Sequence, residues 1–153
     1  MLRKVIKDET NGSLITVISL DLYHIILKRI QSYFNQNQFK FDAFIAGHFN
    51  GSLIKDGIVK YLPQIPTADE WIILVTALMP HFQPNFFESI IQEHLPSGGD
   101  FPEFGGVKAT NHRSMLPTGE TAQFILAGTD IEERLKVHDY FSNEHFFYKQ
   151  NIL

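Results

Sequence analysis

Phe101 to Gly128, FPEFGGVKATNHRSMLPTGETAQFILAG, joins two unlike pieces, and the rest of the chain reads outward from it. Its first half has the composition of an exposed loop, with Pro102, Gly105 and Gly106 as breakers and a polar run from Lys108 to Ser114. Its second half is LPTGE from Leu116 to Glu120, followed by an apolar run that stops at Gly128. Pro near the start and Gly just past the end punctuate a short helix, placed here over Thr118 to Ala127. A loop feeding a helix N-terminus brings free backbone N–H groups and the positive end of the dipole to its exit. His112 and Arg113 stand beside that exit, with Thr118 and Glu120 at the helix start, the raw material of an anion site. The structural alternative pairs Arg113 with Glu120 and leaves Thr118 as an N-cap, and of the two it is preferred.

Upstream, helical signals dominate. Ile18, Leu22, Ile25, Ile26, Ile30, Tyr33 and Phe34 fall on one face of a helix, with Asp21, Lys28, Arg29 and Gln31 elsewhere. That helix is expected from about Leu20 to Phe34, while SLITVISL from Ser13 to Leu20 is β-branched enough to be a strand. Met1 to Gly12 reads as a lead-in ending in the turn pair Asn11-Gly12. Phe39 to Leu62 reads as a hairpin or wing-like element around Asn50-Gly51, with a short helix over Ser52 to Tyr61 as the alternative. Thr67 and Glu70 form a capping box for a helix from Ala68 to Met79 that is apolar nearly all round and ends at Pro80. Burying its aliphatic side chains contributes about 2 kcal/mol each before entropy. Pro84 opens a second helix running to about Leu95, with Phe87, Ile90, Ile91 and Leu95 inward, so the two make a helical hairpin.

Downstream, Phe101 to Met115 shows no helical or strand period, and a loop of that length is usually functional or mobile. Thr129 with Glu132 suggests a capping box for a helix from Asp130 to Phe141 with a partial apolar face. Glu144 to Leu153 alternates loosely and reads as extended. The fold class expected is mainly α (α+β), a helical bundle built from helical hairpins with a small β-hairpin or winged-helix-like element, as a single domain over residues 1–153.

Composition narrows the function classes. Cys is absent, which removes disulfide frameworks and thiolate metal sites and fits a reducing, cytoplasmic setting. No apolar run reaches membrane-spanning length, so no membrane partner is expected. Tyr61 to Val107 holds Asp69, Glu70, Glu88, Glu93, Asp100 and Glu103 and no Lys or Arg. That stretch is net −6 within a chain of net charge −4, which argues against nucleic acid and suits a protein partner or plain solubility. The 7 His residues include no helical His pair and no His-Glu-x-x-His string, so no metal is expected. His24 and His138 read as hydrogen-bonded structural residues. No nucleophile elbow, phosphate loop or dinucleotide fingerprint occurs, which leaves the chain without an enzyme's motifs or a cofactor's.

Two stretches carry a resemblance. LVTALMPHFQP from Leu74 to Pro84 and, more specifically, FPEFGG from Phe101 with LPTGETA from Leu116 and FILAG from Phe124 resemble the region before the catalytic core in a family of AAA-type ATPases. Those ATPases are encoded beside phage-tail-like contractile injection systems in bacteria. The resemblance covers roughly the second half of the chain, and it departs from the family where Ala109 and Ser114 stand in place of expected Gly. It implies a non-catalytic N-terminal domain of a longer protein, acting by protein–protein contact on its own ATPase module and a substrate protein. Homo-oligomers would form through the ATPase. The contact residues expected in the loop are Phe104, Lys108 and Asn111. The alternative is a small enzyme or anion-binding domain using His112, Arg113 and Glu120.

Overall fold

A computed structural model describes residues 10–37, 59–95, 99–111 and 114–153. Among the described residues the architecture is mainly helical with one small antiparallel sheet. Helix α1 spans Thr10–Asn35, α2 Ala68–Phe82, α3 Phe86–His94, α4 Gly119–Ala127, α5 Ile131–Asp139 and α6 Phe146–Lys149. Strands β1 (Val107–Lys108) and β2 (Met115–Leu116) pair with Val107 opposite Leu116 and Lys108 opposite Met115. Two 3-10 turns, Val59–Tyr61 and Pro102–Phe104, complete the described elements.

The long amphipathic helix starts ten residues before the expected Leu20. The turn signal at Asn11-Gly12 is overridden, and the β-branched stretch before Leu20 is helical. Each β-branched residue costs a few tenths of a kcal/mol in a helix, about 0.5 at most, whereas burying Ile18 and Leu22 returns several times that. Ile25, Ile26 and Ile30 continue the buried stripe.

Around α1 pack α2, α3 and α4. The capping box at α2 is present as read: Thr67 N–H donates to Glu70 Oε2 at 2.7 Å, and Glu70 N–H donates to Thr67 Oγ1 at 3.3 Å. Pro80 does not end this helix, which runs on through His81 and Phe82. Proline removes one i to i−4 bond, but Met79 and Pro80 are buried and Gln83 N–H returns to Met79 O at 2.8 Å, so the last turn closes around it. Pro84 lies just outside α3, whose N-cap is Asn85. Phe87 and Ile90 are buried as expected, and Ile91 and Leu95 are half-buried.

The stretch read as structureless, Phe101 to Met115, contains both the 3-10 turn and β1, and pairs into β2. The sequence placed the hairpin at Phe39 to Leu62; all of that except 59–62 lies outside the described residues. The rings of Phe101 and Phe104 meet that of Phe124 of α4 at steep angles, with centroid separations of 5.3 and 5.5 Å, and Tyr33 joins from α1. Edge-to-face rings of this kind carry the junction of α1, the 3-10 turn and α4.

The cap of α5 is Asp130 rather than Thr129: its Oδ1 accepts from Glu133 N–H at 3.1 Å. Of the expected apolar face only Val137 is buried, while Ile131 and Leu135 are 74% and 65% exposed. The C-terminal segment is a short helix, α6, not an extended strand. His145 Nδ1 caps it by accepting from Phe147 N–H, and the Phe147 ring is buried. Alternating apolar residues over four positions do not separate one helical turn from a strand, and the cap decides.

Candidate functional site

Helix α4 is the element against which the expected site is to be judged, and it is buried: Thr121, Ala122, Phe124, Ile125 and Ala127 all face the interior. At its start, Thr118 N–H donates to Thr121 Oγ1 at 3.0 Å. The Thr118 hydroxyl accepts from Gly106 N–H at 3.2 Å, which ties the glycine turn to the helix. Thr118 is therefore a structural anchor. Glu120 is exposed beside it. His112 and Arg113 lie outside the described residues, so the four-residue anion cluster is placed only in its Thr118 and Glu120 half.

The glycine pair is a packing requirement. Gly105 has φ +72°, and a Cβ there would stand 2.8 Å from Glu120 Cβ and 3.0 Å from Thr121 N. A Cβ at Gly106 would stand 2.6 Å from Met115 Sδ. Both glycines let the loop backbone lie directly on α4 and β2. Of the expected contact residues, Phe104 is 0% exposed and belongs to the core: its ring is the wedge between α3 and α4, so it offers no surface to a partner. Lys108 and Asn111 are exposed, and Lys108 Nζ approaches Glu88 Oε1 at 3.7 Å.

The other end of α4 holds a device missed in the sequence. Arg29 reads as a solvent-side residue of α1, yet it is 8% exposed. Its Nε donates to Ile125 O at 2.9 Å and its Nη2 to Leu126 O at 2.7 Å. Gly128 N–H serves Phe124 O and Asp130 N–H serves Ala127 O. All four carbonyls that a helix leaves open at its C-terminus are thereby satisfied, and a positive charge sits at the negative dipole end. Gly128 makes room for it, since a Cβ there would meet Arg29 Nη1 at 2.9 Å. Arg134 Nη1 closes the turn by donating to Gly128 O at 2.8 Å.

A second polar cluster joins the start of α2 to the C-terminal segment. His145 Nδ1 accepts from Phe147 N–H, so Nε2 carries the proton and donates to Glu70 Oε1 at 2.8 Å. Tyr140 O–H donates to Asp69 Oδ2 at 3.2 Å. Burial first, and the Asp69 carboxylate second, push the Tyr140 phenol up to about 12. Glu70 is buried and uses both oxygens, one on the Thr67 cap and one on His145. The cluster is a fully bonded clasp. His24 and His138, expected to be structural, are exposed.

Between α1 and the α2–α3 turn lies an open groove of about 470 Å³. Its walls are mostly apolar: Leu20 and Tyr23 from α1, Phe82, Phe86 and Ile90 from the hairpin, with Glu93 at one edge. Leu20 is 53% exposed although its helix neighbours Ile18 and Leu22 are buried. Tyr23 O–H donates to Glu93 Oε2 at 3.0 Å, and that hydrogen bond, ahead of burial, raises the Tyr23 phenol above its usual value. The groove was not legible in the sequence, because it arises from how two helices and a turn meet. Among the described residues no group of three or more His, Cys, Asp or Glu side chains is placed to hold a metal ion, and no helix is long and apolar enough to cross a membrane.

Comparison with family models, with curated proteins and with solved structures finds no match to this chain.

Proposed function

We propose that this chain is a non-catalytic adaptor or substrate-recognition domain that works by protein–protein contact, as in the region preceding the catalytic core of the AAA-type ATPases it resembles. The observation that carries this reading is the groove between α1 and the α2–α3 turn. Its walls are mostly apolar and aromatic, interspersed with the neutral polar side chains of Ser19, Gln83, Asn85 and Ser89, and they carry a single carboxylate, Glu93, already engaged by a phenol. Such a surface recognises a side-chain pattern on another polypeptide. An acid–base pair converging on a bound small molecule would instead need two titratable groups with separated roles.

On this reading the partners are an ATPase module and its substrate protein in the cytoplasm, and the domain itself needs no cofactor. The purified chain is expected to release no phosphate from ATP above the buffer rate. Phosphate release that follows the protein through gel filtration and scales with its concentration contradicts the proposal. A reading frame that continues past Leu153 into a Gly-x-x-x-x-Gly-Lys-Ser/Thr loop supports it.

A further inference from the structure

The charge around the groove says more about its occupant than its shape does. The α2–α3 hairpin lies wholly inside the stretch from Tyr61 to Val107 that contains no Lys or Arg. On α3, Glu88 is approached by Lys108, but Glu93 forms no ion pair among the described residues and meets only the neutral phenol of Tyr23. The phenol fixes the carboxylate at the groove edge, beside the half-exposed Leu20 and the ring of Phe86. An anionic ligand or lipid headgroup would enter against that charge, and a nucleic acid would find no cation in the groove walls.

Resting on the adaptor reading, we infer that the groove takes an amphipathic segment of another protein, with one or two Leu-like side chains against Leu20, Phe82 and Phe86 and a Lys or Arg reaching Glu93. The apolar side chains supply affinity by displacing water from the aromatic walls. The cation supplies orientation and selects against acidic sequences. Ser89, also in the groove wall, offers its hydroxyl to the segment's backbone, whereas the Ser19 hydroxyl already donates to Thr16 O at 2.9 Å and is left only as an acceptor.

The test uses the full chain and two fluorescent helical peptides, one with Leu on one face flanked by Lys, the other identical but with Glu for each Lys. Anisotropy titrations are expected to show the Leu/Lys peptide binding about tenfold tighter or better. Leu20→Ser is expected to weaken it by about tenfold, and Glu93→Lys to reverse the preference between the two peptides. Ile131→Ser with Leu135→Ser, on the exposed face of α5, should leave both titrations unchanged. Equal affinity for the two peptides, no affinity for either, or binding indifferent to Leu20→Ser and Glu93→Lys overturns the assignment. So does a concentration-dependent dimer that Leu20→Ser dissociates, because it gives the groove to a second copy of this chain. None of these outcomes concerns phosphate release, so the partner chemistry fails separately from the non-catalytic reading.

Discussion

At Arg29 the guanidinium spans two carbonyls that the end of α4 leaves without helical donors, Ile125 O and Leu126 O. The planar fork suits two adjacent acceptors, and a point charge does not. Arg29→Met is expected to lower the unfolding free energy by about 3 kcal/mol, read by urea denaturation, because two buried carbonyls lose their donors. Arg29→Lys should recover only part of that. Gly128 is the matching residue: its φ of +58° and the 2.9 Å approach to Arg29 both exclude a side chain. Gly128→Ala is expected to cost about 1–3 kcal/mol, through strain at an unfavourable backbone conformation and displacement of the arginine. In the sequence, Gly128 read correctly as a helix stop, but Arg29 did not read as buried. Helical spacing assigns a residue to a face; it does not reveal that the facing element ends there with open carbonyls. Phe104 failed the opposite way, since a Phe in a glycine-rich loop looks exposed until the loop is seen lying on α4.

Elements followed their local signals where a cap or a stripe was strong and departed where tertiary packing competed. The Thr67–Glu70 box, the apolar α2 and the buried α4 were all legible, because capping and burial there agree. Pro80 and the Asn11-Gly12 pair are local breakers that longer helices absorb, and the short sheet of β1 and β2 is too brief to show a period. Glu70 links two elements: one oxygen caps α2 and the other holds His145 ahead of α6. Thr67→Ala, which removes one cap bond, is expected to cost about 1 kcal/mol. Glu70→Ala should cost more, about 3 kcal/mol, since it also strips the half-buried His145 of its partner. Thermal denaturation of the two variants side by side checks the order, and equal losses would mean that the His145 contact contributes nothing.

For the whole molecule, alkaline stability reports on the clasp between α2 and the C-terminal segment. Tyr140 titrates near 10 unfolded and about 12 folded, so the native state holds its proton longer. Stability from this group is complete below pH 10 and is lost as pH rises towards 12. Tyr23 and Tyr33 are raised as well, Tyr23 chiefly by its hydrogen bond to Glu93 and Tyr33 chiefly by burial, and they add to the same slope. Tyr140→Phe should flatten the fall without removing it, as followed by denaturation midpoints across that window. The acidic middle of the chain, plain in the sequence, places its carboxylates in different settings: Asp69 and Glu70 in the clasp, Glu88 against Lys108 and Glu93 at the groove. Charge alone could not distinguish them, because the difference is which side chain each meets after folding. The most direct test of the groove as the working surface is amide-resonance mapping of the full chain titrated with the Leu/Lys peptide. Shifts confined to residues around Leu20, Tyr23, Phe86 and Glu93 are expected; shifts centred instead on the glycine turn at Gly105 and the start of α4, with those four residues unmoved, would contradict the account.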